Sequence, residues 1–435
     1  MSQLPLDSVR KALSNSFKRY ERLGSKIFAR KAESLLEVTE LAAVQPRSFE
    51  IQSSLRPLFG KGQPRAASIG DHPDFVHLRE TGKTEYCPIS TLFMDIEAST
   101  KLALIYQNLE DVVRIKNALI CAAIEIIQAL DGHVHRIMGD AVMAFFGGRN
   151  ADSQNAAIDA VNCASTLKYF IENVVIPNLN QHEFSDPLGV RIGVDFGGED
   201  SVLWASYGRS GTAEVTATSF YVDSAAKLQQ AASRNEIMIG ESIRSFLDFP
   251  DELLATKTSI RDGKSRDDLY LLPNYRGKDG KPRNYRQHLL KAVEYLRCSP
   301  LALVQRDIVS DPVPPLNVQA FIADAQYGQT IGEYQATGRA VRKGKWLRFI
   351  GHIDFQPQVP FTWTFKVENH GAEACDFGQR PDADNHEKQY TVREARAFTK
   401  EHWEKCEYRG LHYMIVEVSN ARGLLRRTRF GVYVE

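Results

Sequence analysis

Apolar residues along this chain recur with two different periods, and the changes of period mark its elements. From residue 7 to about 44, Val9, Leu13, Phe17, Tyr20, Leu23 and Ile27 return every three or four positions among charged neighbours. That spacing predicts an amphipathic helical arm. GKGQPRAASIGDHP, near 60–75, collects Gly, Pro and small residues and predicts a loop. The apolar run from Ile89 to Ile96, ISTLFMDI, is short enough for a buried strand. Val112, Ile115, Leu119, Ala122 and Ile126 then predict a helix with one buried face from Leu109 to Leu130, stopped by Asp131-Gly132. HVHRI and AVMAFF flank Met138-Gly139-Asp140 as a hairpin. A helix over roughly Ser153 to Val175 and a strand at VRIGVDFG complete the order β-α-β-β-α-β. A helix in TSFYVDSAAKLQQAA and a strand in NEIMIG are additions to it. The fold class expected is α/β, with a ferredoxin-like split βαβ core.

Past this core the pattern changes. Arg276 to Arg297 is basic, contains GKDGKPRNYR and reads as a linker. Beyond Pro300, alternating segments such as FTWTFKVEN and LHYMIVEV predict short strands of a β-rich domain. The expected division is an arm and linker over 1–84, a core domain over 85–275, a basic linker over 276–300 and a β-rich domain over 301–435. A length of 435 residues accommodates that many units.

Lys+Arg and Asp+Glu number 54 each, so any anion-binding site must be local rather than a property of the whole surface. No apolar run reaches the length of a membrane span, and the N-terminal residues lack the apolar stretch of a secretory signal. A cytoplasmic location without membrane contact is the expectation. The six cysteines are scattered without a C-x-x-C pair, which argues against a disulfide framework.

Two carboxylates stand out. Asp95 ends a buried strand, where an unpaired charge is costly, and Asp140 lies in the hairpin turn one helix later. In a βαββ unit these positions can converge on a divalent cation. A turn or helix-cap role is the simpler reading of either residue alone. Ser99 and Thr100 follow in IEAST, which reads as a helix start suited to a polyphosphate or as ordinary capping. His133 and His135 share one strand face, but no further ligands lie nearby in sequence, so a zinc site is not expected.

FMDIEAST, RIMGDAVMAFFG, VRIGVDFG and FYVDSAAKL, in this order and spacing, resemble the catalytic domain of class III adenylate and guanylate cyclases over roughly residues 87–272. The resemblance implies that Asp95 and Asp140 bind two Mg²⁺ or Mn²⁺ ions, with the carbonyl of Ile96 as a further ligand. It implies attack of a ribose 3′-hydroxyl on the α-phosphorus of a nucleoside triphosphate, giving a 3′,5′-cyclic nucleotide and pyrophosphate. Phe93, Ser99 and Thr100 then lie on the substrate side, and Lys264 falls where the family grips the terminal phosphates, with Lys257 as a competitor. The family's helical Asn and Arg read Asp223 and Lys227 here, one helical turn apart. Lys keeps the charge but loses the planar fork of Arg, a loss that Arg209 or Arg234 could offset. A homodimer is implied, with Asp95 and Asp140 of one chain facing Asp223 and Lys227 of the other.

Arg136 and Thr216 occupy the family's two base-reading positions. Arg136, a donor, suits a base edge that presents acceptors, such as O4 of uracil or O6 and N7 of guanine, over the amino groups of cytosine or adenine, and Thr216 can accept from uracil N3–H, so UTP is favoured. The simpler reading pairs Arg136 with a surface carboxylate. FKVENHGAEA and EKCEYRGLHYMIVEV resemble the sensor domain of bacterial anti-phage signalling enzymes, with Asn369, Gly371, Tyr408, Gly410 and His412 at recurrent positions and Phe365 where Trp is common. Together the domains resemble the pyrimidine cyclases of the Pycsar defence system, its uridylate members above its cytidylate ones, and imply an infection trigger of unidentified nature. Alternatives are a cytidylate or guanylate cyclase, and a degenerate domain that binds nucleotide without turnover. A diguanylate cyclase is disfavoured because GG[DE]EF is missing from the hairpin.

Overall fold

A computed structural model describes residues 49–106, 108–179, 188–271, 275–304, 313–379, 387–393 and 398–435, with a few isolated positions between 11 and 19. The expected arm over 7–44 lies almost wholly outside the described residues.

The first elements of the core are helix α1 (Glu50–Leu58), strand β1 (Ile89–Glu97), helix α2 (Leu109–Ala129) and the hairpin of β2 (His133–Met138) and β3 (Ala141–Gly147). Helix α3 (Ser153–Phe170) leads to β4 (Gly189–Gly197), and a second hairpin, β5 (Leu203–Arg209) with β6 (Thr212–Thr218), precedes helix α4 (Phe220–Ala231) and β7 (Glu236–Gly240). The short strand β8 (Leu254–Ala255) and β9 (Gln287–Leu290) close the set. One seven-stranded sheet runs β2-β3-β1-β4-β7-β9-β8. Its first four strands have the expected split βαβ order, with β1 central and antiparallel to both β3 and β4.

The apolar periods explain the layers. Leu92, Met94 and Ile96 alternate along β1 onto one face, which α3 packs against, and share one buried cluster with Ile115, Leu119 and Ile126 of α2. Each such side chain contributes roughly 1.5–3 kcal/mol by leaving water. On the other face α4 lies close against β4. A Cβ on Gly193 would come within 2.2 Å of the Ala225 carbonyl oxygen, so glycine there sets the seat of α4.

The expected basic linker is corrected in part. Residues 287–290 form β9, antiparallel to both β7 and β8, and the helix Ala292–Arg297 buries Tyr295 and Leu296 in the core. The basic residues before β9 masked a strand of only four residues.

The C-terminal domain has two sheets. Strands β10 (Asn317–Ala323), β11 (Thr330–Tyr334), β12 (Ala340–Val341), β13 (Trp346–His352) and β14 (Phe361–Glu368) are followed by β15 (Glu387–Val392), β16 (Thr399–Lys405), β17 (Gly410–Asn420) and β18 (Gly423–Val434). The sheet orders are β11-β10-β13-β16 and β12-β18-β17-β14-β15. Leu411, Tyr413, Ile415 and Tyr433 of this domain belong to the same buried cluster as the core of the first domain. Asn162 ties the two parts: its Nδ2 donates to the Thr337 carbonyl at 2.8 Å and its Oδ1 accepts from Tyr295 Oη at 2.8 Å.

Candidate active site

Register brings the two carboxylates together. Asp95 pairs with Ala141 across β1 and β3, and Asp140 is the residue just before Ala141 in the Gly139-Asp140 turn. Both are half-buried. Asp95 stands opposite Arg191 of β4, whose guanidinium pairs with its carboxylate. Beyond β1 the chain reverses at Ala98, in the left-handed region at φ +65°, which a residue with a Cβ adopts only at some cost. That reversal starts the short helix Ser99–Ile105 and returns the buried Ser99 hydroxyl to donate to Asp140. Thr100 is exposed, and Phe93, two residues before Asp95 on the same strand face, is half-buried against the Trp204–Val222 cluster.

The donor set suits a hard divalent cation: two carboxylates at adjoining strand ends, followed on β1 by the main-chain carbonyl of Ile96. Among the described residues no group of three or more His, Cys, Asp or Glu forms a metal cluster, so such a cation would draw its other ligands from substrate and water. His133 Nε2 and His135 Nδ1 both meet the Gly70 carbonyl, at 2.8 and 3.0 Å, and are tied into the fold there.

Asp223 and Lys227 lie on α4, Asp223 exposed and Lys227 half-buried, and no hydrogen bond or ion pair among the described residues links them to Asp95 or Asp140 in the same chain. Arg209, at the end of β5, is exposed, whereas Arg234 lies 3.7 Å from Glu97. Lys264 is exposed on the hairpin Thr258–Arg261/Lys264–Asp267. Its competitor Lys257 is buried and engaged by Ser233 and Glu236, which gives it a structural role.

Arg136 is not free. Glu214 of β6 forms an ion pair with it, and Glu214 Oε1 also lies 3.2 Å from His135 Nε2. Thr216 is two residues along β6, hence on the same strand face. The sequence reading passed over the β5–β6 hairpin and therefore over Glu214; the Ser-Gly turn within RSGT was the available signal. It also passed over Asp195, fully buried on β4, where desolvation pushes the carboxyl up to about 7. Both Asp195 oxygens accept from Tyr285 Oη, at 2.9 and 2.7 Å, which fastens the segment leading into β9.

A polar cavity of about 830 Å³ opens elsewhere, at the other end of the β2–β3 hairpin from Asp140, lined by Arg56, Lys61, Asp131 and Asp159 among others. These four charges are paired with one another, Lys61 reaching Asp131 at 3.0 Å and Asp159 at 2.8 Å, and Arg56 reaching Asp131 at 2.9 Å. The chemistry of the carboxylate pair does not extend to it.

In the sensor-like domain the recurrent positions meet the catalytic side. The Ala372 N–H donates to Asp248 Oδ2 at 2.9 Å, and a Cβ on Gly371, at φ +93°, would sit 2.3 Å from that oxygen. Gly410 adjoins the Asp248 backbone, and Arg409 donates to the Phe246 carbonyl at 2.6 Å. Phe246 stacks on Phe196 of β4, centroids 4.0 Å apart. His412 accepts from the His370 N–H at 3.1 Å and donates to the Tyr408 carbonyl at 2.7 Å. Phe365 is fully buried, while Asn369 and Tyr408 are half-buried.

Comparison with known proteins agrees with this layout. Residues 82–274 match the Adenylate and Guanylate cyclase catalytic domain, and residues 303–435 the Adenylyl/Guanylyl and SMODS C-terminal sensor domain. A cytidylate cyclase of Escherichia coli is 34% identical over 453 aligned residues, spanning 98% of this chain and 92% of that protein. A cytidylate cyclase of Staphylococcus aureus is 35% identical over 366 residues, spanning 83% and 81%. Among solved structures, the adenylyl cyclase CyaB from P. aeruginosa is 18% identical and covers 48% of this chain and 95% of its own, with a TM-score of 0.39. No helix among the described residues is long and apolar enough to cross a membrane. The chain belongs to the class III nucleotide cyclases that join a catalytic domain to a C-terminal sensor domain.

Proposed function

We propose that this enzyme cyclises a pyrimidine nucleoside triphosphate to its 3′,5′-cyclic monophosphate and pyrophosphate, as a messenger in bacterial anti-phage defence. The observation that carries the chemistry is the convergence of Asp95 and Asp140 at adjoining strand ends, each held by its own partner, Arg191 and Ser99. Class III cyclases use divalent metal ions, and here Asp95, Asp140 and the Ile96 carbonyl would hold two ions, Mn²⁺ or Mg²⁺. When bound, such ions acidify the attacking hydroxyl and neutralise charge on the transferring phosphoryl.

The protein's own groups do the rest. Arg191 and Ser99 fix the carboxylates, Phe93 and Thr100 border the nucleotide, and Lys264 takes the terminal phosphates. Asp223 and Lys227 of the partner subunit orient the ribose and meet the charge that develops at phosphorus. A homodimer is supported by the exposed apolar residues Ile137, Met138 and Phe220 on the β2–β3 hairpin and on α4.

Arg136 and Thr216 read the base. Their chemistry alone favours UTP, whereas the names of the relatives support CTP, which we place first. Incubating the purified chain with ATP, GTP, CTP and UTP and Mn²⁺, and identifying products by mass, tests the reading. A cyclic pyrimidine as the dominant product is expected. Nucleotide binding without any cyclic product would overturn it in favour of a degenerate, regulatory domain.

A further inference from the structure

Arg136 supplies only donors, yet the Watson–Crick edge of every base offers both donors and acceptors. The structure brings an acceptor to Arg136: the Glu214 carboxylate pairs with its guanidinium. Glu214 Oε1 also lies 3.2 Å from His135 Nε2, and His135, whose Nδ1 is 3.0 Å from the Gly70 carbonyl, is a buried ring on which the couple rests. The side chains of Arg136 and Glu214 remain 41% and 38% exposed, which leaves polar edges of both available to a ligand.

Resting on the pyrimidine cyclase reading above, we propose that Glu214 is a specificity-determining residue that selects cytosine over uracil. A donor beside an acceptor can be matched to either pyrimidine, and the neighbouring groups decide between them. On cytosine, the carboxylate accepts from the exocyclic N4 amino group, at the end of the edge, and its one flanking acceptor, N3, is covered by Arg136. Carboxylate to cytosine N4 is an established pairing in base readout. On uracil, a carboxylate accepting from N3–H sits between O2 and O4. Arg136 covers one of these oxygens and the other faces the negative charge. Thr216, two residues along the same strand face, is a neutral hydroxyl and supplies the remaining donor or acceptor without changing that balance.

The test is competition. The full chain is given equal CTP and UTP with Mn²⁺, and the ratio of cyclic CMP to cyclic UMP is read by mass for the wild type, Glu214→Gln and Glu214→Asp. Cyclic CMP dominates in the wild type; Glu214→Gln, whose amide can donate to O4, moves the ratio toward cyclic UMP by about tenfold. Glu214→Asp, which keeps the acceptor, retains the wild-type preference in direction. Dominant cyclic UMP from the wild type overturns the proposal. So does a ratio that stays within twofold in Glu214→Gln, including a loss of both products alike, because that pattern belongs to a residue that only holds Arg136 in place. Absence of any cyclic pyrimidine from the wild type overturns the pyrimidine cyclase reading, and this proposal with it.

Discussion

Asp95 and Arg191 stand opposite one another on β1 and β4, and the guanidinium of one holds the carboxylate of the other. A divalent cation that binds Asp95 must loosen that grip. Arg191→Ala removes a competing positive charge from a partly exposed site. It should lower the Mn²⁺ concentration for half-saturation by roughly fivefold, as expected for a charge pair at moderate dielectric. Calorimetric Mn²⁺ titration of the two proteins decides; equal affinities would show that the pair does not compete with metal.

Under the proposed function, removing either carboxylate acts on the chemistry itself. Asp95→Asn and Asp140→Asn should each lower turnover by at least about a thousandfold, since metal ions supply several kcal/mol of charge stabilisation. Circular dichroism should stay unchanged, because neither side chain is deeply buried.

Complementation tests the shared site. Asp95→Ala and Lys227→Ala chains, each inactive alone, should recover about a quarter of wild-type activity when co-expressed, because half of the randomly paired dimers then carry one complete site out of two. No recovery, with mixed dimers confirmed by mass, would place the whole site within one chain.

The domain junction makes its own prediction. A methyl group at Gly371 would strike Asp248 and would also demand a positive φ from alanine. Gly371→Ala should cost about 1–3 kcal/mol. It should appear as a lower melting temperature, with faster amide exchange at Asp248 and Ala372. An unshifted melt would mean that the loop yields freely.

Acid should weaken the same junction. Burial pushes His370 and His412 down to about 4 from an ordinary value near 6.5. Below pH 6.5 the unfolded chain takes up these protons before the folded one does, so stability falls as pH drops from about 6.5 towards 4. Melting temperatures across that range should show the slope, and His412→Asn should flatten it.

Much of this was legible in the sequence where local pattern and chemistry coincide. The strand ending at Asp95 and the turn carrying Asp140 announce themselves by apolar runs and a Gly-Asp corner, and register then needs only strand pairing to join them. Glu214 was not legible, because its partner Arg136 lies 78 positions earlier and only the fold of the β5–β6 hairpin brings them together. Strand β9 was hidden by its brevity and basic surroundings. Gly371 and Gly410 stood out as recurrent positions, but the reason for them, the fit around Asp248, is a contact across domains.

Tyr295 and Asn162 on the catalytic side, and Tyr433 and Thr337 on the other, lie in one continuous buried network, Tyr433 Oη reaching Tyr295 Oη at 3.3 Å. A chain cut after the helix Ala292–Arg297 would therefore expose polar groups built to meet a partner, not a finished surface. A sensor half taken from a relative would therefore have to supply its side of these contacts, meeting residues 162, 248 and 295 with matched groups at 337, 371 and 433.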